Sequence, residues 1–372
     1  ALACATRISD TLRRNGTPLY IRIVVPTMFL AVQWKTHLLQ WAEALEIQRS
    51  DIGFYSGERK DPTDRKIMIY LVNSARYTFA RHLYERIHQG GIVMVIADEC
   101  HHYTSRENRK IFSFVPLLTP DEQTRYFALG LSATLHLQDG EDVLTSAIGP
   151  LLFTYDLYAA MEHHVISRFL LYHVAIPCDD ETRKEYEELT DLIHRYYARG
   201  RRFVSPTLTP GTSAYYRVVR QIAAASQGDS RLWAQRLLSV LYKRKNLIHN
   251  VPDRLACTLA LIDRLSVRTK IIVFCERIRQ SEILFRLLSA TWPHKVSLYH
   301  SALVSEERTR SLQRFNEGET RILVCCKALD EGFDIPAADV GIIVSGTSST
   351  RQRTQRLGRI LRRNEGKLIS SL

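Results

Sequence analysis

Three hundred and seventy-two residues can build two ordinary domains and an insertion, each with a core of its own. An apolar share of 45% beside 24% charged residues excludes a disordered or collagen-like chain, and the apolar runs fall far short of the roughly 20 residues of a membrane helix. The net charge of +12 favours polyanionic partners, nucleic acid before an anionic membrane, although a basic enzyme with a solvated surface has the same balance.

Residues 1–14 read as an amphipathic helix, followed by the turn Asn15-Gly16 and a strand over 19–25. Strand-like apolar runs recur at 66–72, 92–97 and 126–131, with amphipathic helical stretches between them. Continuous apolar strands alternating with helices predict a parallel sheet covered on both faces, and this first zone extends over residues 1–155. Residues 156–250 differ: they are helical in pattern, rich in Arg, Lys and Tyr, and broken by a turn-forming stretch at 205–211. Their first part mixes both signs of charge, but after Arg195 the only acid is Asp229. The third zone, 251–372, repeats the strand–helix alternation, with strands expected at 270–275, 295–299, 321–325 and 340–344 and helices at 280–290 and 305–316. Seven scattered cysteines form no C-x-x-C pair, no secretory signal opens the chain, and the whole reads as intracellular with reduced thiols.

The sharpest chemical signal is Val95-Ile96-Ala97-Asp98-Glu99-Cys100-His101-His102. A buried strand delivers two carboxylates to its carboxyl end, where ligands bind in open α/β sheets. One can hold the water shell of Mg²⁺ while the other activates a water against a γ-phosphate. Taken alone, such a pair more often decorates a helix N-terminus. Three further elements follow in order: Leu131-Ser132-Ala133-Thr134, Leu329-Asp330-Glu331-Gly332-Phe333-Asp334-Ile335-Pro336, and Gln355-Arg356-Leu357-Gly358-Arg359-Ile360-Leu361-Arg362-Arg363. Arg359 and Arg362 are three apart, so on a helix they share a face and can point at one anion.

This order of motifs resembles the superfamily 2 helicases, most closely the XPB-type DNA helicases of archaea and bacteria. The resemblance implies two tandem RecA-like domains, parallel sheets flanked by helices, with a basic helical insertion between them. It implies ATP and Mg²⁺ as cofactors and DNA, double- or single-stranded, as partner. Asp98 would hold the metal and Glu99 would be the general base. His101, Ser132 and Thr134 would couple hydrolysis to movement. Gln355, Gly332 and Asp334 would face the nucleotide, with Arg359 and Arg362 as catalytic cations and Arg362 as the arginine finger. Pro26, Thr27 and Lys327 would touch nucleic acid. Arg201 and Arg202, with Arg195 and Arg199 among Tyr196, Tyr197 and Phe203, suit phosphate contact and base stacking, or else are the solvated end of a helix.

Two departures stand out. Cys326 precedes Lys327 where that family usually has a hydroxyl, and a thiol is a poor hydrogen-bond donor. No Gly-x-x-x-x-Gly-Lys-Ser/Thr occurs anywhere, so the expectation is a first domain truncated just after its phosphate loop and inactive by itself. The competing readings are the motor subunit of a restriction or phage-defence system, an RNA helicase, and a nucleic-acid scaffold without hydrolysis. A nuclease or repair protein is a candidate partner, a membrane is not, and the expected location is cytoplasmic, nucleoid-associated in a prokaryote, with a nuclear one left open.

Overall fold

In a computed structural model, residues 1–132, 141–166, 168–249, 251–326, 338–344 and 369–371 are described. Among them are two compact units, the first within residues 1–166 and the second after it.

The first unit runs α1 (Leu2–Arg13), β1 (Leu19–Val25), α2 (Met28–Gln40), α3 (Ala42–Leu45), β2 (Ile52–Tyr55), β3 (Ile67–Leu71), α4 (Val72–Ala75), α5 (Phe79–His88), β4 (Ile92–Ala97), α6 (Pro120–Gln123), β5 (Tyr126–Gly130), α7 (Glu141–Ala147) and α8 (Leu157–Glu162). Its sheet is parallel in the order β2-β3-β1-β4-β5. Strand side chains alternate between two cores. Val24, Met68, Tyr70, Val93 and Val95 meet Phe79, Leu83 and Ile87 of α5 on one face. Ile21, Ile23, Ile67, Ile69, Met94 and Ile96 meet Leu30, Ala31 and Leu38 of α2 on the other. Burial on both faces is why these strands read as continuous apolar runs. The connection after β1 leaves towards β2 and that after β4 towards β5, on opposite sides, so a crevice opens at the carboxyl ends of this central pair.

Two local features escape the apolar pattern. Arg22 is 2% exposed in the middle of β1, and its guanidinium donates to the carbonyls of Ile21, Thr63, Arg65 and Lys66 at 2.9–3.2 Å. Burial lowers its pKa to about 10, and those four carbonyls take the place of a carboxylate. Strand β2 was not among the expected strands; it is four residues long and contains Gly53, where a Cβ would lie 2.4 Å from the Met68 sulfur.

The second unit runs β6 (Arg168–Leu170), α9 (Asp180–Gly200), α10 (Ser213–Ala225), α11 (Gly228–His249), α12 (Pro252–Asp263), β7 (Ile271–Cys275), α13 (Ile278–Thr291), β8 (Val296–Tyr299), α14 (Ser305–Asn316), β9 (Ile322–Cys326), β10 (Val340–Ile343) and β11 (Ile369–Ser371). The strand order is β6-β11-β10-β7-β9-β8, again parallel. Strand β6 lies in the stretch read as helical, because three residues are too few to show a period in the sequence. Helices α9, α10 and α11 share a core of Ile193, Val204, Tyr215, Val219, Trp233, Ala234, Leu237 and Val240. Their starts are capped as composition requires: Asp179 accepts from the Thr182 amide and Thr212 from that of Tyr215. Gly200 lets the three helices close, since a Cβ there would lie 2.4 Å from Cζ2 of Trp233. A separate core of Ile271, Val273, Ile322, Val324, Leu284 and Leu288 covers the sheet, and Cys326 ends β9 within it. The two cores are joined where the Gln280 amide donates to the His249 carbonyl at 3.0 Å. Among the described residues no helix is long and apolar enough to cross a membrane.

Candidate active site

The crevice of the first unit is built by backbone pairing between the ends of β1, β4 and β5. The Asp98 amide donates to the Val24 carbonyl at 3.0 Å, Leu131 to Ala97 at 2.9 Å, and Cys100 to Leu131 at 2.8 Å. The turn after β4 is thus clasped by its neighbours on both sides. Tyr103 closes it from below: its buried hydroxyl lies 2.8 Å from both the Val24 and the Asp98 carbonyls. Burial holds the phenol well above its ordinary pKa, so it stays a neutral donor.

Two carboxylates leave this turn in different directions. Oδ1 of Asp98 accepts the Glu99 amide at 3.0 Å and Oδ2 accepts the Trp34 indole N–H at 2.8 Å. Burial raises the Asp98 pKa, and these two donors oppose the rise. Glu99 has a left-handed backbone, φ 49° and ψ 48°, which costs a residue with a Cβ about 1–2 kcal/mol. In that conformation the Glu99 carboxylate lies beside His101, whose Nδ1 is 3.4 Å from its Oε2. The same nitrogen lies 2.9 Å from Oγ of Ser132 at the end of β5. Glu99 and Ser132 therefore converge on one ring nitrogen of His101. Cys100, between them, is buried with its pKa raised to about 11, so its thiol is no nucleophile at neutral pH.

Each Asp98 oxygen keeps a lone pair beyond its protein donor. Such a carboxylate suits Mg²⁺, which keeps most of its waters and takes one or two carboxylates plus substrate phosphates. Among the described residues no group of three or more His, Cys, Asp or Glu could form an all-protein cage.

Of the residues singled out in the sequence, Asp98, Glu99, His101 and Ser132 are brought together here. Pro26 and Thr27 follow the end of the neighbouring strand β1, and the Thr27 hydroxyl caps α2 by accepting the Leu30 amide at 3.4 Å. Arg201 and Arg202 are in the second unit, exposed after α9 together with Arg195 and Arg199 near its end. The aromatic rings among them point the other way. Tyr196, Tyr197 and Phe203 pack on the helical core, Tyr197 bonds the Tyr216 hydroxyl, and Phe203 lies 5.3 Å from Trp233. The cations remain open to phosphate, whereas the rings are committed to packing. Thr134, Lys327, Gly332, Asp334, Gln355, Arg359 and Arg362 lie outside the described residues. Trp34 and Tyr103 were missed in the sequence. The available signal was the helical spacing of Trp34 from Thr27 and the place of Tyr103 directly after the acidic motif.

Comparison with known proteins adds two family models, one to each end of the chain. Residues 3–137 match the type III restriction enzyme, res subunit, and residues 253–364 match the helicase conserved C-terminal domain. The DNA 3'-5' translocase XPB2 of Sulfurisphaera tokodaii is 26% identical over 345 residues, which are 92% of this chain and 69% of that protein. The DNA 3'-5' helicase XPB of Kineococcus radiotolerans is 27% identical over 343 residues, 91% of this chain and 49% of that protein. The chain thus spans about two thirds of one relative and half of the other. The crystal structure of the Pyrococcus furiosus Hef helicase domain superposes with a TM-score of 0.54 at 16% identity, covering 99% of this chain and 89% of that one. At that identity the likeness is one of fold.

Proposed function

We propose that the chain, which belongs to the superfamily 2 helicases, is the ATP-driven motor of a DNA translocase or helicase. The observation that carries this reading is the divergence of Asp98 and Glu99 at the carboxyl end of β4: one carboxylate tied down by two donors, the other, on a left-handed backbone, beside the His101 nitrogen that Ser132 also meets. Bound Mg²⁺ would draw negative charge off the γ-phosphate, with Asp98 holding its water shell. Glu99 would take the proton of the attacking water, and His101 would hold the Glu99 carboxylate in place from Nδ1. Ser132, on the same nitrogen, ties that arrangement to the end of β5.

From the resemblance, Gln355, Gly332 and Asp334 are assigned to the nucleotide, Arg359 and Arg362 to the transition state, and Pro26, Thr27 and Lys327 to nucleic acid. Residues 1–155 and 251–372 are then the two RecA-like domains and 156–250 the insertion. In that assignment the base and the arginines belong to different domains, so nucleotide-driven closure would complete the machinery and one cycle of closure and release would give one step. The 372 residues hold no Gly-x-x-x-x-Gly-Lys-Ser/Thr, so turnover needs that segment added, while nucleic-acid binding does not. DNA is preferred over RNA as partner because both XPB relatives are named for DNA. A cytoplasmic, DNA-associated location and a nuclease or repair partner go with that reading. A second reading, the motor of a restriction system, is favoured by the res-subunit match to residues 3–137.

The deciding experiment measures ATP hydrolysis by the chain supplied with a Gly-x-x-x-x-Gly-Lys-Ser/Thr segment, alone and with duplex DNA, single-stranded DNA or RNA of one sequence. Stimulation by DNA well above that by RNA is expected; the 2′-hydroxyl is the physical difference. Equal or greater stimulation by RNA would overturn the DNA assignment. For the insertion, replacing Arg195, Arg199, Arg201 and Arg202 by Ala should flatten log affinity against log salt by about one unit for each phosphate no longer neutralised. An unchanged slope would remove these arginines from the interface.

A further inference from the structure

In the motor reading Thr27 faces the nucleic-acid backbone and Asp98 holds Mg²⁺, and one helix touches both. Helix α2 starts on its N-cap Thr27 and carries Trp34 two turns further along, about 10 Å at 1.5 Å per residue. The Trp34 Nε1–H donates to Oδ2 of Asp98 at 2.8 Å, across 64 residues of sequence. A bond from an N–H to an ionised oxygen is short and roughly twice as strong as a neutral one. The helix between these points is rigid: Leu30, Ala31 and Leu38 are buried in the core against β1 and β3, which fixes its roll on the sheet. Trp34 itself is half-buried, its ring packed at the margin of that core while its nitrogen reaches the crevice. Any displacement of the Thr27 end is therefore transmitted along one stiff element to a carboxylate oxygen.

A half-buried indole ordinarily finds an acceptor, and that alone would account for a bond to a carbonyl or a water. Here the acceptor is a carboxylate whose other oxygen is already held by its own turn, so the indole fixes the remaining rotational freedom of the group. We propose that Trp34 is a positioning residue for Asp98, through which a nucleic-acid phosphate at Thr27 sets the orientation of the metal-binding carboxylate. The proposal rests on the motor reading given above. It makes nucleic acid and metal sense each other through α2, and by linkage each alters the other's affinity by the same factor.

The test is ¹⁹F NMR of the chain labelled with 5-fluorotryptophan, whose four tryptophans give four lines. The Trp34 line is assigned by its disappearance in Trp34→Phe. Duplex DNA should shift it by more than its linewidth. Asp98→Asn, which removes the charge on the acceptor, should move the line without DNA and shrink the DNA-induced shift. Thr27→Asp keeps an oxygen to cap α2 but repels phosphate; it should leave DNA bound elsewhere on the protein with the Trp34 line stationary. A purely structural indole bond predicts no response to DNA at all. If DNA binds and the Trp34 line stays still in the unmodified sequence, or moves equally in Thr27→Asp, the proposal is overturned. If DNA does not bind, the motor reading fails and the proposal falls with it, an outcome read separately from the lines.

Discussion

Tyr103→Phe removes one oxygen atom and nothing else from the floor of the crevice. The ring keeps its place, edge-on to Phe112 at 6.3 Å and fully buried, so packing is conserved and the effect isolates the hydroxyl. That hydroxyl has one proton and lies 2.8 Å from two carbonyls. Val24 keeps its bond from the Asp98 amide at 3.0 Å, so the loss falls chiefly on the Asp98 carbonyl. Removing the donor leaves a buried acceptor unmet at a cost of about 1–3 kcal/mol, which puts the destabilisation near 2 kcal/mol. With a urea m-value of about 2 kcal/mol/M, the midpoint of the first unit's transition falls by about 1 M. Urea unfolding followed by circular dichroism reads this, with the second unit's transition as the internal control. Because the lost bond is the one that seats Asp98, hydrolysis should fall as well. A midpoint shift below about 0.2 M would show that the hydroxyl carries no such load and that the backbone pairing alone seats the turn.

In the second unit, Gly200→Ala places a methyl 2.4 Å from Cζ2 of Trp233 and 2.8 Å from the Tyr215 hydroxyl, so the helices must part. We expect a loss of about 1–3 kcal/mol in calorimetry, and no loss would mean that the bundle has slack there. His82 packs edge-on to Tyr55, and its pKa is lowered first by burial and then by Arg81 and Arg22, with Glu85 opposing. A lowered folded value means stability that is present above the ordinary histidine pKa and lost as pH falls through the folded value. His82→Phe should therefore lose less melting temperature than the parent between about pH 7 and about pH 5. An identical loss in both proteins would place the acid sensitivity elsewhere.

The parallel sheets were legible because strands buried on both faces write themselves as unbroken apolar runs, as at Ile92–Ala97. Strand β2 was not, since Gly53 and four residues leave no pattern. The acidic pair could be read because both carboxylates sit side by side in sequence. What holds them could not, because the Trp34 bond spans 64 residues and the Tyr103 bond to Val24 spans 79, distances that only the sheet order closes. The stretch around Arg195–Arg202 taught a different lesson. Arginines interleaved with aromatics suggested a stacking surface, but helical spacing puts Ile193, Tyr196, Tyr197 and Gly200 on the inner face and Arg195 and Arg199 outside. A period of 3.6 was present in those residues and outweighs their composition.

If Glu99 activates the water that attacks ATP, removing its basicity must stop turnover and spare binding. Glu99→Gln, in the protein supplied with a Gly-x-x-x-x-Gly-Lys-Ser/Thr segment, keeps the shape of the side chain beside His101 but removes the base. Steady-state hydrolysis at saturating DNA should fall by several orders of magnitude, while ATP and DNA binding, measured on the same sample, stay near those of the parent. A loss of less than about tenfold with binding intact would contradict the assignment and leave the acidic pair as the ornament of a turn.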